Sequence, residues 1–433
     1  MNLRGKARMI IIFDLDGTLF QTALCDIAAV NHLFDELAIE KVDDTVITYN
    51  IGKKTFEFLT NILPPHIKQQ DVYDRFRELE QKEVRENGIL FPNVIELLEE
   101  LVSKGHTLII CSNGSSEYIE LVLKKTGITK YFSNIYSAKE ANNKGEVIRK
   151  ILDNNSSAVV IGDTLSDIEA AAENNIPSIA AMYGYGNINE LGAATYIIQN
   201  VTDIIGYVNR IEIFYTITDR SIRKGKKVIG INGVDTSGKT VFTKAYSKFL
   251  SSLKIKNTII HIDDYHNPAE LRCKGDNEIE AYYHNAFNYD QVIDEILGPL
   301  NKLGSIDKDI LCLNLDTNKY ENFIHYNIDE NTIVLIEGVL LFREPLLKYL
   351  DTTVFLHIDF DEVLRRMQVR DVPKYGEGFI KKYTNKYIPV QRKYLEEYRP
   401  EQRSDIVINN QDYFNPRLGA YCEGKDDIYN NRK

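Results

Sequence analysis

Two short stretches of this 433-residue chain carry residue types whose spacing suits the handling of phosphate. In "FDLDGT", Asp14 and Asp16 follow an apolar run, and residues at i and i+2 of an extended chain share a side. A carboxylate there can displace the alcohol of a phosphate ester if a divalent cation cancels the charge repulsion and a second acid protonates the leaving oxygen. The Gly17-Thr18 turn that follows offers N–H groups to phosphate oxygens. The other stretch, "GVDTSGKT", fits the pattern G-x-x-x-x-G-K-[ST]. Such a loop wraps the phosphates of ATP with the N–H groups of Gly233, Val234, Asp235, Thr236, Ser237 and Gly238. Lys239 then reaches the outer phosphates and Thr240 ligates Mg²⁺.

Both stretches need a rigid strand behind them, and the sequence supplies one each, "MIIIF" before Asp14 and "VIGI" before Asn232. Strands buried on both faces of a parallel sheet read as continuous apolar runs. Further runs of this kind lie at 107–112, 158–163, 258–263, 332–338 and 353–359, most of them ending in a polar or acidic residue or a glycine. Ligands of doubly wound sheets bind at the carboxyl ends of strands, so these terminal residues are the ones to interrogate. The expected architecture is α/β, with two doubly wound parallel-sheet domains. Residues 1–205 form the first, with an inserted helical cap at about 21–90; 206–226 make a linker helix; 227–433 form the second. No repeat of solenoid period is present.

Other strand ends complete a first constellation. "CSNG" offers the Ser112 hydroxyl and the Asn113 amide to a phosphate, and Lys144 at a helix start can balance charge. "GDTLSD" adds Asp163 and Asp167, oxygen ligands of the kind Mg²⁺ takes. With these four motifs in order, residues Met9 to Asn200 resemble the haloacid dehalogenase-like phosphatases with a helical cap. The resemblance implies that Asp14 is a nucleophile forming an aspartyl-phosphate and Asp16 the general acid and base, with Thr18, Ser112 and Asn113 at the phosphate. It also implies Lys144 as the charge-balancing lysine and Mg²⁺ bound among Asp14, Asp16, Asp163 and Asp167. Lys139 is the alternative lysine; Lys144 is preferred because it opens the helix "GEVIRKIL".

A second constellation follows the phosphate loop. "HIDDYH" supplies Asp263 and Asp264, either of which could take a proton from an attacking hydroxyl. Glu337 in "IEGVLLF" lies at a strand end near the metal, and Arg365, Arg366 and Arg370 share a helix that could close over transferring charge. Residues Lys226 to Asp412 resemble the phosphoribulokinase and uridine kinase family. That resemblance implies Asp263 as the base for a primary hydroxyl and His266, Asp264 and Asn285 at the acceptor. It places Arg366 and Arg370 in the ATP lid, and Thr240 and Glu337 at Mg²⁺. Where the family grips ribose with acidic residues, this chain has Asn285 and Asn288. Tyr282, Tyr283, Phe287 and Tyr289 read as core.

Composition limits the partners. The net charge of −11 falls as −10 on residues 1–212 and −1 on residues 213–433, so neither half is a basic platform for nucleic acid. A local exception is 365–403, with 11 basic and 5 acidic residues. Five scattered cysteines form no Cys-x-x-Cys pair and fit a reducing cytoplasm. No run approaches the roughly 18 apolar residues of a membrane span. The expected partners are a small phosphomonoester, a small alcohol or nucleoside, and ATP. The leading expectation is a bifunctional phosphatase and kinase of cytoplasmic small-molecule metabolism. Two alternatives stand beside it: polynucleotide 3′-phosphatase and 5′-kinase end repair, and an ATP-sensing domain that regulates the phosphatase. The tail 413–433 lies outside both resemblances.

Overall fold

The computed structural model describes residues 8–139, 141, 143–152 and 157–419. The chain divides into two compact units, Met1–Glu212 and Ile213–Lys433.

The first unit is built on a six-stranded, all-parallel sheet. Its strands are β1 (Ile10–Phe13), β2 (Thr107–Ser112), β3 (Asn134–Ser137), β4 (Ala158–Gly162), β5 (Ser178–Ala181) and β6 (Tyr196–Ile198). Their order is β3-β2-β1-β4-β5-β6, which places β2 and β4 on either side of β1. All five β4 residues and nearly all of β1 are buried, the condition that makes these segments continuously apolar. Between β1 and β2 lie α1 (Thr22–Leu37), α2 (Asp44–Asn50), α3 (Thr55–Ile62), α4 (Gln69–Asn87) and α5 (Val94–Ser103). The first four pack their own core from Leu33, Phe34, Phe58, Leu59, Phe76 and Leu79, so the inserted segment is a helical cap with a separate apolar centre. Helices α6 (Ser116–Thr126), α7 (Lys144–Ile151), α8 (Leu165–Glu173) and α9 (Ile188–Leu191) connect the remaining strands.

The stretch read as a joint at 206–226 is, up to Arg220, one helix, α10 (Ile204–Arg220). Phe214, which belongs to the second unit, is fully buried within it against Phe242, Tyr246 and Phe249, ring centroids 5.1–5.5 Å apart. Burying one such ring is worth about 1.5–3 kcal/mol.

The second unit holds β7 (Val228–Gly233), β8 (Asn257–His261), β11 (Ile333–Gly338), β12 (Thr352–His357), β13 (Ile406–Asn409) and β14 (Arg417–Leu418) in one sheet, ordered β14-β13-β12-β7-β11-β8. Only β14 runs antiparallel. Strands β9 (Ile306–Asn314) and β10 (Lys319–Ile328) form a separate antiparallel ribbon. From β7 the chain turns through the phosphate loop into α11 (Lys239–Ser252). Residues 413–419 of the tail reach β14; the remainder of the tail, with Cys422, lies outside the described residues.

Candidate active sites

In the first unit, strand order does the assembling. Because β2, β1 and β4 are neighbours in register, Ser112, Asp14 and Asp163 emerge side by side at their carboxyl ends. The Asp14 N–H is anchored to the Ile161 carbonyl at 2.8 Å. Carboxylate oxygens of Asp14, Asp163 and Asp167 lie within 4.8 Å of one another, all three residues buried. Lys144, 2% exposed, places Nζ 2.8 Å from Asp14 Oδ1 and 2.7 Å from Asp167 Oδ1. It reaches them because Asn143 caps α7, accepting from the Glu146 N–H. Lys139 instead donates to the Tyr73 hydroxyl at 3.1 Å, away from this group.

Burial, then Asp167, raises the Asp14 carboxyl well above its ordinary value, against the pull of Lys144. Burial and Asp167 likewise push Asp163 up to about 7. Three crowded carboxylates with one lysine are an excess of negative charge, and hard oxygen donors in that arrangement suit Mg²⁺. Two of the three are also held by the protein: Asp163 accepts from the Thr18 hydroxyl (3.0 Å) and the Tyr185 N–H (2.8 Å), and Asp167 from the Thr164 hydroxyl (2.7 Å).

Two of the expected residues make other contacts here. Asp16, placed among the metal ligands from sequence, stands outside the carboxylate trio. Its Oδ1 accepts from the Thr22 hydroxyl (2.6 Å) and the Tyr118 hydroxyl (2.7 Å), which turn the carboxylate toward the cap. Thr18, expected at the phosphate, spends its hydroxyl on Asp163. Ser112 Oγ sits 3.4 Å from Asp16 Oδ2, and the Asn113 amide donates to the Gly52 carbonyl of the cap at 2.9 Å.

A cavity of about 40 Å³ opens between Asp14, Asp16, Ser112 and the cap. Asp26 of α1 and Arg77 and Glu80 of α4 line it, none of which sequence reading singled out. A signal existed: each acid interrupts the apolar stripe of its helix, Asp26 between Thr22 and Ala29, Glu80 beside Phe76 and Val84. A second cleft of about 360 Å³, lined by Tyr49, Lys54, Asn113, Lys144 and Tyr185, adjoins it.

In the second unit, the loop after β7 takes Thr236 to φ 58° and Gly238 to φ 88°, which turns it sharply into α11. A Cβ at Gly238 would stand 3.0 Å from Asn410 Nδ2. Lys239 Nζ donates to the Val234 carbonyl (2.9 Å), lying across the loop. The Asp235 N–H donates to Gln391 Oε1, and its carboxylate accepts from Gln391 Nε2, each at 2.7 Å. Ser237 is fully buried within the same loop.

Register sets Glu337 of β11 opposite His261 of β8. Glu337 Oε1 accepts from the Thr240 hydroxyl (2.9 Å) and pairs with His261 Nδ1 (2.6 Å). Burial opposes ionisation of Glu337, but His261, Lys239 and Thr240 hold its carboxyl below the usual value. His261 is the residue sequence reading passed over.

Asp263 and Asp264 differ in surroundings. Burial raises Asp263, against the pull of His266 and Lys239. Asp264 is raised by burial too, but its opposing partner is His261. His266 donates from Nδ1 to the Asp263 carbonyl (2.7 Å) and rests on Phe287, centroids 4.5 Å apart. Burial lowers its basicity. Asn285 ends the helix Glu278–Asn285, its carbonyl accepting from Asn267. Asn288 caps the next helix through the Gln291 N–H. Tyr283 and Phe287 are core, as the sequence reading has them.

The three arginines lie on the helix Phe360–Arg370 and are already partnered. Arg365 pairs with Glu362; Arg366 bonds Glu362 and the carbonyls of Thr236 and Asn410; Arg370 pairs with Asp371. Of these, Arg366 touches the phosphate loop itself.

Known proteins match the two halves separately. Residues 11–181 match the model of the haloacid dehalogenase-like hydrolases, and residues 228–412 that of the phosphoribulokinase / uridine kinase family. A uridine kinase of Anoxybacillus flavithermus is 32% identical over 195 residues, covering 43% of this chain and 87% of that protein. A phosphoglycolate phosphatase of Agrobacterium fabrum is 28% identical over 191 residues, covering 41% and 82%. A 5′-nucleotidase of Pseudomonas aeruginosa is 27% identical over 191 residues, covering 42% and 86%.

Proposed function

Because the chain belongs to the haloacid dehalogenase-like hydrolases through its first half and to the phosphoribulokinase / uridine kinase family through its second, we propose that it is a bifunctional enzyme. One site hydrolyses a small phosphomonoester; the other phosphorylates a nucleoside-like or other small hydroxyl acceptor with ATP. The observation that carries the first activity is the buried trio Asp14, Asp163 and Asp167 with Lys144 at 2.8 Å from the nucleophile. The second draws on the phosphate loop and on the relative named uridine kinase.

At the first site Asp14 attacks phosphorus and the ester oxygen departs, taking a proton from Asp16. Asp16 then removes a proton from water, which attacks the aspartyl-phosphate and frees inorganic phosphate. Lys144 draws Asp14 toward its ionised form and neutralises the transferring group, while Tyr118 and Thr22 hold Asp16 in place. At the second site the loop N–H groups and Lys239 hold the triphosphate. Asp263 takes the proton of the acceptor hydroxyl as its oxygen attacks the γ-phosphorus, and ADP leaves. Asp14, Asp163 and Asp167 would hold Mg²⁺ in one site and Thr240 and Glu337 in the other, where it would supply charge neutralisation.

Asp263→Asn tests the kinase half. ADP formation with a nucleoside panel should fall on the order of 10²-fold or more while ATP binding, read by equilibrium titration, stays within twofold. Unchanged ADP formation would overturn Asp263 as base, and no acceptor-dependent ADP formation in the wild type would favour an ATP sensor.

A further inference from the structure

The cap wall of the phosphatase cavity carries charge that hydrolysis as described leaves unused. Asp26 is 6% exposed and lines the cavity, yet its Oδ1 has no hydrogen-bond partner among the described residues. Buried polar atoms are nearly always paired, and an unpaired carboxylate oxygen is costly, so a donor is missing from this position. Neither nearby cation supplies it. Arg77 donates to Glu80 and, at 2.9 Å, to Ser115 Oγ. Lys53 donates to Asn50 Oδ1 at 2.8 Å.

Asp26 and Glu80 face the Arg77 guanidinium, and Lys53 lines the same cavity, so the wall is rich in carboxyl oxygens, with those of Asp16 beside them. Burial raises the Asp26 carboxyl, and Glu80 and Asp16 raise it further, while Glu80 is itself pushed up to about 7. Such a wall attracts a hydrogen-bond donor or a cation and repels another carboxylate. The cavity of about 40 Å³ holds roughly three waters, so it seats an alcohol of a few heavy atoms. Phe58 and Phe76 give it a dry side. The adjoining larger cleft is lined by neither Asp26 nor Glu80.

We propose that Asp26, supported by Glu80 and Arg77, selects the leaving group: phosphate esters of small alcohols bearing a hydroxyl or ammonium donor are taken, and esters bearing a carboxylate are turned away. This rests on the reading of the first unit as a phosphatase led by Asp14. The test is Mg²⁺-dependent hydrolysis of three esters of similar size, glycerol 3-phosphate, phosphoethanolamine and phosphoglycolate, by the full chain and by Asp14→Asn and Asp26→Asn. The wild type should favour glycerol 3-phosphate or phosphoethanolamine over phosphoglycolate at least tenfold in kcat/KM, the two arms separating hydroxyl from ammonium. Asp26→Asn should lower the preferred ester about tenfold, mainly through KM, as loss of one charged hydrogen bond does, and leave phosphoglycolate unchanged or improved. A wild type that prefers phosphoglycolate, or an Asp26→Asn that depresses all three alike, overturns the proposal. Should Asp26→Asn fail to fold by near-UV circular dichroism, the wild-type ratio decides alone. Hydrolysis of p-nitrophenyl phosphate but of none of the three esters overturns the selection while sparing the phosphatase reading. Activity undiminished in Asp14→Asn, or absent on every ester, removes the phosphatase reading and the proposal with it.

Discussion

Lys144 and Asp16 show what single side chains contribute beyond their type. Each is fixed by neighbours on other elements, Lys144 between Asp14 and Asp167, Asp16 between Thr22 and Tyr118. Tyr118→Phe should therefore lower phosphatase kcat about tenfold with little change in KM, because it frees the acid without touching the phosphate. An unchanged kcat would remove Tyr118 from that role. Glu80 gives a pH signature. Burial is the first cause of its rise from 4.5 to about 7, so the folded chain holds that proton more tightly than the unfolded one. Its contribution to stability is present below about 4.5 and lost as pH rises through about 7. The melting temperature of the wild type minus that of Glu80→Gln should therefore fall by several degrees across that window and level off on either side. A constant difference would contradict it. Asp14, Asp163 and the phosphate loop were legible because they sit at ends of apolar strands, and Lys144 because it opens a helix. Tyr118 and His261 were not, since only folding brings them to the sites, and Asp26 showed only as an acid interrupting an apolar stripe.

At the scale of elements, the apolar runs behind both motifs read as strands because parallel strands buried on two faces are nearly continuous in apolar residues. Strands β3, β5 and β6 escaped notice because they are short and carry polar residues (Asn134 and Ser137, Ser178, Tyr196), whereas the equally short β1 is wholly apolar. The ribbon β9 and β10 escaped for a different reason: it is largely exposed and mixes charged residues such as Asp307, Lys308 and Glu321 with apolar ones. The turn after β1 is the tightest link between element and chemistry. Gly17 adopts φ +74°, and a Cβ there would stand 2.1 Å from Asp163 Oδ2. Gly17→Ala should displace Asp163, reduce phosphatase activity by about 10²-fold or more, and raise the Mg²⁺ concentration needed for half activity. Normal Mg²⁺ dependence in a folded Gly17→Ala would show that Asp163 does not hold the ion.

For the whole molecule, each compact unit holds its own sheet, its own core and its own set of strand-end residues. Among the described residues no helix is long and apolar enough to cross a membrane. Two centres that share no residue should fail independently, and that is measured by running one metabolite panel with Mg²⁺ twice, for phosphate release without ATP and for ADP formation with it. Asp14→Asn should lower phosphate release on the order of 10³-fold or more and leave ADP formation within twofold; Lys239→Ala should do the reverse. ADP formation that persists in Lys239→Ala, phosphate release that persists in Asp14→Asn, or one substitution that abolishes both in a folded protein would contradict two separate centres of phosphoryl transfer.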